Sequence, residues 1–273
     1  MTEKIIPKLQ KEKIVEYLKE GKRLDGRELS DYRKIEVEKN ISKNAEASVM
    51  VKIGETQVFA GVKMEVVEPY ADSADEGTFM VSAELHPMAS EQYDIGKPGI
   101  ESIELGRIID RGIRESGLVD FKKLCIEEGK KVWQIFLDII AINDDGNLLD
   151  AAGLAALIAI GSARFPVYNK EENKIEHELT KERLPLNKEA LSFNMTFHKI
   201  DNCILLDVNS EEELISNCRL SIAMGEHDGN LRITAMQKGK EGIITSADME
   251  NILKMLEDKW KEVFPKIKEY VFG

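Results

Sequence analysis

KVWQIFLDIIAINDDGNLLDAAGLAALIAIGSA (131–163) is the stretch whose reading decides the fold class. Val132 to Ile142 is almost continuously apolar and rich in β-branched residues. That is the pattern of a strand covered on both faces. Asp144-Asp145-Gly146-Asn147 breaks the run, and Leu148 to Ala163 reads as a helix. Its alanines and glycines suit close backbone packing. The strand is expected to be buried on both faces.

Working toward the N-terminus, Glu101 to Ser116 reads as an amphipathic helix and Thr78 to Leu85 as a strand. Irregular loops, EPYADSADEG (68–77) and HPMASEQYDIGKPG (86–99), flank that strand. Val49, Val51 and Ile53 alternate with Met50 and Lys52, Gly54-Glu55 turns the chain, and Val58 to Val67 returns as a hairpin. Ile35, Val37 and Ile41 are spaced for a further strand. Ile5 to Glu20 reads as a short helix stopped by Gly21, and a basic, turn-like run, GKRLDGRELSDYR (21–33), follows it.

Toward the C-terminus, residues 166–190 are polar, with prolines at 166 and 185, and read as a junction. Strands are expected near Ser192–Ile200, Cys203–Val208, Cys218–Met224 and Leu231–Gln237. A final helix is expected from about Thr245, where Thr245 and Asp248 have capping-box spacing. Strands and helices are mixed without regular βαβ alternation, which favours an α+β fold. The expected division is an N-terminal helix and arm over 1–30, a first β-rich half over 31–166, a linker over 167–188 and a second β-rich half over 189–273.

Charged residues make up 32% of the 273 residues and the formal net charge is -12, which argues against nonspecific coating of nucleic acid or anionic membrane but leaves room for a local basic groove. Aromatics are only 6%, so the core must rest on aliphatic side chains. No apolar run is long enough for a membrane span, and MTEKIIPKLQKEK (1–13) lacks the apolar core and cleavage site of a signal peptide. Cys125, Cys203 and Cys218 are odd in number and widely spaced, so a disulfide scaffold or zinc finger is not expected and a reducing cytoplasmic location is.

Three features carry possible chemistry. In ESIELGRIIDRGIRES (101–116), Arg107, Arg111 and Arg114 fall within an arc of roughly 60° at about 100° per residue, opposite Leu105, Ile108, Ile109 and Ile113. Guanidinium groups so grouped suit the oxygens of a phosphodiester backbone. Glu104, Asp110 and Glu115 stand at ion-pair spacing from the same arginines, so a solvated helix face is the competing reading. No aromatics lie nearby to stack bases, so contact here would be sequence-tolerant. The turn at 144–147 has the strand-to-helix geometry of an anion site, but Asp144, Asp145 and Asp150 surround it, and carboxylates themselves suit a helix N-terminus. In LLDVNSEEEL (205–214), Asp207 and Glu211 to Glu213 form an acidic cluster. It reads either as a general-acid or Mg²⁺ site or as a solvated acidic loop. His86, His177, His198 and His227 show no ligand spacing; His86 before Pro87 and His227 in EHDGN read as turn residues. No resident metal or cofactor is expected, and there is no phosphate-binding glycine loop.

RLDGRELSDYR (23–33), EGTFMVSAELHPMAS (76–90), IELGRIIDRGIRES (103–116), GKKVWQIFLDI (129–139) and DDGNLLDAAGLAAL (144–157) together resemble the RNase PH family, and within it the non-catalytic RNase PH-like subunits of the archaeal exosome. The resemblance runs over nearly the whole chain. It implies two β-rich RNase PH-like halves with packed helices, and a hexameric ring in which two kinds of subunit alternate as three heterodimers. One kind shortens RNA phosphorolytically from its 3′ end. The other is inactive, binds RNA and shapes its neighbour's active site, and S1-domain cap proteins sit on one face. Active members carry Gly-Ser-Arg or Gly-Thr-Arg after the central strand to hold phosphate, whereas this chain has Gly146-Asn147-Leu148. Active members also carry two aspartates six apart; Asp207 matches the first and Glu213 stands at the second. The resemblance therefore implies no catalytic residue here, and RNA contact through Arg107, Arg111 and Arg114. An active phosphate-dependent 3′–5′ exoribonuclease, and a small-molecule enzyme on a related fold, are the competing functions.

Overall fold

The computed structural model describes residues 6–227 and 230–273. The expected helix start at Ile5, and Asp228-Gly229 of the expected EHDGN turn, lie outside the described residues. In chain order the elements are α1 (Lys8–Lys19), β1 (Ile35–Lys39), β2 (Ala47–Ile53), β3 (Thr56–Val67), β4 (Thr78–Glu84), α2 (Ile100–Ser116), β5 (Cys125–Glu127), β6 (Lys131–Asn143), α3 (Leu148–Ser162), β7 (Arg164–Asn169), β8 (Lys174–Arg183), β9 (Ser192–Ile200), β10 (Cys203–Leu206), α4 (Ser210–Ile215), β11 (Cys218–His227), β12 (Asn230–Gly239) and α5 (Ser246–Phe272).

The first sheet runs β1-β2-β3-β6-β4, with β5 on β6. All its pairings are antiparallel except β4 on β6. The second sheet runs β10-β9-β11-β12 and is antiparallel throughout. Helix α3 lies between them, packed on β2 and β3 on one side and on β9 and α5 on the other. Every residue from Leu149 to Gly161 is buried. A helix apolar all round belongs in a core, which explains why 148–163 shows no amphipathic period. Gly161 is where α5 crosses: a Cβ there would collide with the Val271 carbonyl oxygen. Helix α2 lies beside α3, against β4, β9 and β12. Among the described residues, no helix is long and apolar enough to cross a membrane.

Two segments differ from expectation. The stretch 167–188, read as a linker, holds most of the hairpin β7–β8, a two-stranded sheet of its own. β8 is dominated by charged residues and Pro166 interrupts β7, so no regular apolar period announces the hairpin. Glu211–Glu213, read as a loop, lie in α4, which carries a capping box between Asn209 and Glu212. The strand expected to reach Val208 ends at Leu206, because Asp207 takes a left-handed φ of 49°.

Candidate functional site

Two places bear on function: the outer face of α2 and the cleft at the head of α3.

On α2, Leu105, Ile109 and Ile113 are buried while Arg107, Arg111 and Arg114 are exposed. The expected ion pairs form only in part. Arg114 pairs with Asp110 at 2.8 Å, donates to the Phe79 carbonyl at 3.0 Å and lies against the rings of Phe79 and Phe121. Its guanidinium is a structural tie. Glu104 turns away to pair with Arg219 on β11. Among the described residues, Arg107 and Arg111 make no ion pair with Glu104, Glu115 or any other acid. Both line an open groove of about 870 Å³ between α2, β4 and β12, with Asn194, Ser221 and Gln237 in its walls. They stand four residues apart, roughly 6 Å along the helix axis. In a chain this acidic, two unpaired guanidiniums on one groove are a local inversion of charge that favours an extended polyanion.

The cleft at the head of α3 is built by long-range pairing that the sequence does not display. The arm RLDGRELSDYR supplies three arginines. Arg23 is fully buried, donating to the Leu206 and Asp207 carbonyls at 2.8 Å each and to the Glu212 carboxylate. Arg27 reaches Asp207 Oδ2 at 3.0 Å. Arg33 grips both Asp207 oxygens through Nε and Nη2, at 3.0 and 2.9 Å, and also donates to the carbonyls of Asp145 and Gly146 at 2.7 and 3.0 Å. The Asp207 carboxylate accepts five donors in all: Arg27 Nη1, the Arg33 backbone N–H, Arg33 Nε, Arg33 Nη2 and Asn147 Nδ2. It is wholly buried. Such a carboxylate has no lone pair left for a metal ion or for proton transfer, so the general-acid reading of Asp207 is set aside. Among the described residues, no three His, Cys, Asp or Glu side chains converge to hold a metal ion. These arginines went unread as a site; three arginines in one arm of a chain carrying an acidic run at 207–213 was the available clue.

The anion position at the helix N-terminus is occupied by the chain itself. Asn147 takes a left-handed φ of 56°, and its backbone N–H donates to Glu213 Oε2 at 3.1 Å. Its side chain donates to Asp150 and Asp207 at 3.1 and 2.7 Å. The neighbouring Gly146 N–H donates to Asp144 Oδ1 at 3.0 Å. The N–H groups that would cradle an anion thus serve two carboxylates. Asn147 and Leu148 stand where the resemblance implies a hydroxyl and a guanidinium in active members. Burial and the nearby Asp144 carboxylate push the Glu213 pKa up. Burial likewise pushes Asp150, inside α3, up to about 6, against hydrogen bonds from Thr196, Tyr32 and Asn147 that pull it down.

Residues 31–166 match the model of the 3′ exoribonuclease family, domain 1 (RNase PH), and residues 194–257 that of domain 2. The chain is 40% identical to exosome complex component Rrp42 of Methanothermobacter thermautotrophicus over 98% of its own length and 96% of the relative's. It is 38% identical to Rrp42 of Thermococcus kodakarensis over 98% and 97%. A solved Archaeoglobus fulgidus exosome structure with RNA bound to the active site contains a chain that superposes with a TM-score of 0.83 at 38% identity, covering 94% of this chain and 98% of that one.

Proposed function

The chain belongs to the RNase PH family of 3′ exoribonucleases, and on that premise we propose that it is a non-catalytic, RNA-binding subunit of a phosphorolytic 3′–5′ exosome. Its near-full-length relatives are exosome components, which supports membership of such a complex. Within it, the chain alternates with a catalytic RNase PH-like subunit in a ring of three heterodimers, with S1-domain cap proteins on one face, in the cytoplasm. It holds single-stranded RNA through Arg107 and Arg111 and shapes the neighbour's active site. Arg114 fixes the helix rather than touching RNA.

The observation that carries the non-catalytic reading is the hydrogen bond from Asn147 N–H to Glu213 Oε2. Phosphorolysis uses orthophosphate as the nucleophile, and placing it in register supplies much of the rate. Here a carboxylate stands in that place and repels an incoming anion, while Asp207 is spent on arginines. The competing reading, an active exoribonuclease, requires Glu213 to vacate its part-buried hydrogen bond with Asn147 N–H.

Light scattering of the chain alone, and after mixing with its catalytic neighbour, tests assembly: the mixture should give the mass of three heterodimers and retain RNA. A mixture that stays as separate chains would remove the ring from the account.

A further inference from the structure

The groove over α2 holds, besides its two arginines, a buried amide that nothing else in the chain uses. Asn194 on β9 lines this groove and is 7% exposed. Two helices offer it glycine in place of a side chain. A Cβ at Gly112 on α2 would lie 3.5 Å from its Oδ1, and one at Gly153 on α3 would lie 3.3 Å from its Nδ2. The packing therefore holds the amide in place without giving it a donor or an acceptor. Among the described residues, neither Oδ1 nor Nδ2 has a hydrogen-bond partner. Unlike Asn147 Oδ1 and His198 Nε2, which are cut off from solvent, both atoms stay open to the groove. A buried amide without partners costs stability, and leucine would fill the same volume without that cost.

The sheet around the amide is shaped to admit something flat. In the strand register Asn194 faces Ala223 on β11, and Ala223 faces Ala235 on β12. Two alanines in a row leave a trough that runs from the amide across two strands to the sheet edge, roughly 10 Å at the usual strand spacing. Beside it runs a polar row, Thr196–Ser221–Gln237, in which the Thr196 and Ser221 hydroxyls share a 3.0 Å hydrogen bond. Helix α2 packs against β9 and β12, and its Ile108 adds an apolar surface to the groove. Arg107 and Arg111 line the same groove.

The chemistry of the amide selects the occupant. It presents one acceptor and one donor side by side. A phosphodiester has only acceptors and would satisfy Nδ2 alone, whereas the edge of a nucleobase carries both kinds of group. Adenine offers N6–H and N7, the pair that an asparagine amide meets bidentately. We propose that this slot takes one unstacked base of the bound RNA, adenine fitting best, with Asn194 on the base edge, the alanine trough under the base and the arginines on the adjoining phosphates. The inference rests on the proposal that this face holds RNA, and it adds base contact to phosphate contact.

Fluorescence anisotropy of the assembled complex in phosphate-free buffer tests it with two labelled strands of equal length and charge, oligoadenylate and its abasic counterpart. Asn194→Leu keeps the volume and removes both hydrogen-bonding atoms. Affinity for oligoadenylate should fall about tenfold, the worth of two neutral hydrogen bonds, while affinity for the abasic strand stays unchanged. The salt slope should also stay, since no phosphate contact is lost. Melting should be unchanged or raised, because leucine removes an unsatisfied amide. Ala235→Leu, which fills the trough without touching the amide, should act in the same way and serves if Asn194→Leu melts early. Undiminished affinity for oligoadenylate, or equal losses for the two strands, overturns the proposal. If Arg107→Ala with Arg111→Ala leaves the salt slope unaltered, the RNA face falls and this inference with it. If that slope flattens while Asn194→Leu and Ala235→Leu bind oligoadenylate as the wild type does, only the base slot falls.

Discussion

Arg107→Ala with Arg111→Ala should flatten the salt dependence of RNA binding by the assembled complex. Both guanidiniums are exposed on the groove, and neither is tied to an acid among the described residues. Each is thus free to neutralise one phosphate. On single strands each neutralised phosphate contributes about 0.7 to the slope of log affinity against log salt, so removing two should lower the slope by about 1.4. Between about 50 and 200 mM salt, that makes the wild-type complex lose roughly sevenfold more affinity than the double variant. At low salt the variant should bind roughly thirtyfold more weakly, from about 1 kcal/mol per exposed contact. Fluorescence anisotropy with a labelled single-stranded RNA reads both quantities. Arg114→Ala is the internal control. Its guanidinium is held by Asp110 and the Phe79 carbonyl, so its loss should cost stability and leave the slope unchanged. An unaltered slope in the double variant, or an equal fall in Arg114→Ala, would refute the assignment.

Asp150 is buried with its pKa raised to about 6, so the folded state favours the protonated acid; stability is full below about pH 4 and falls as pH rises toward 6, by about 3 kcal/mol in total. Urea unfolding of Asp150→Asn should lack that fall, and parallel pH profiles for the two proteins would contradict it. Asp207→Asn should cost about 3–5 kcal/mol, because it strands buried arginine charge, yet leave turnover per folded complex intact; a complete loss of turnover in a folded complex would make Asp207 a participant. Gly161→Ala should destabilise by about 2 kcal/mol through overpacking of α3 against α5, seen as a lower melting temperature without change in RNA affinity.

How much was legible in the sequence follows from the range of the forces involved. The strand at 131–143 and the helices α2 and α5 announce themselves, since burial imposes a local apolar pattern. The cap of α5 was also readable, because Thr245 and Asp248 are neighbours and both halves of the box form. The hairpin β7–β8 was not, since β8 is mostly charged and β7 is interrupted by Pro166, whose presence reads as a break. Helix α4 was missed for another reason: three consecutive glutamates look solvated, although Asn209 and Glu212 hold the spacing of a cap. The arginine arm was the least legible element. Arg23, Arg27 and Arg33 reach Asp207 and Glu212 across more than 170 residues, and no local period encodes such a meeting. The two readings of the arginine helix could not be separated by spacing. The structure separates their premises residue by residue, with Arg114 paired and Arg107 and Arg111 left open.

The proposal that the chain is inactive rests on Glu213 holding the Asn147 N–H where orthophosphate would have to sit. Release of nucleoside diphosphates from a single-stranded RNA 3′ tail by the lone chain, with and without orthophosphate, tests this most directly. No phosphate-dependent release is expected from the chain alone, with release appearing once the catalytic neighbour is added. Sustained phosphate-dependent turnover by the lone chain would contradict the account.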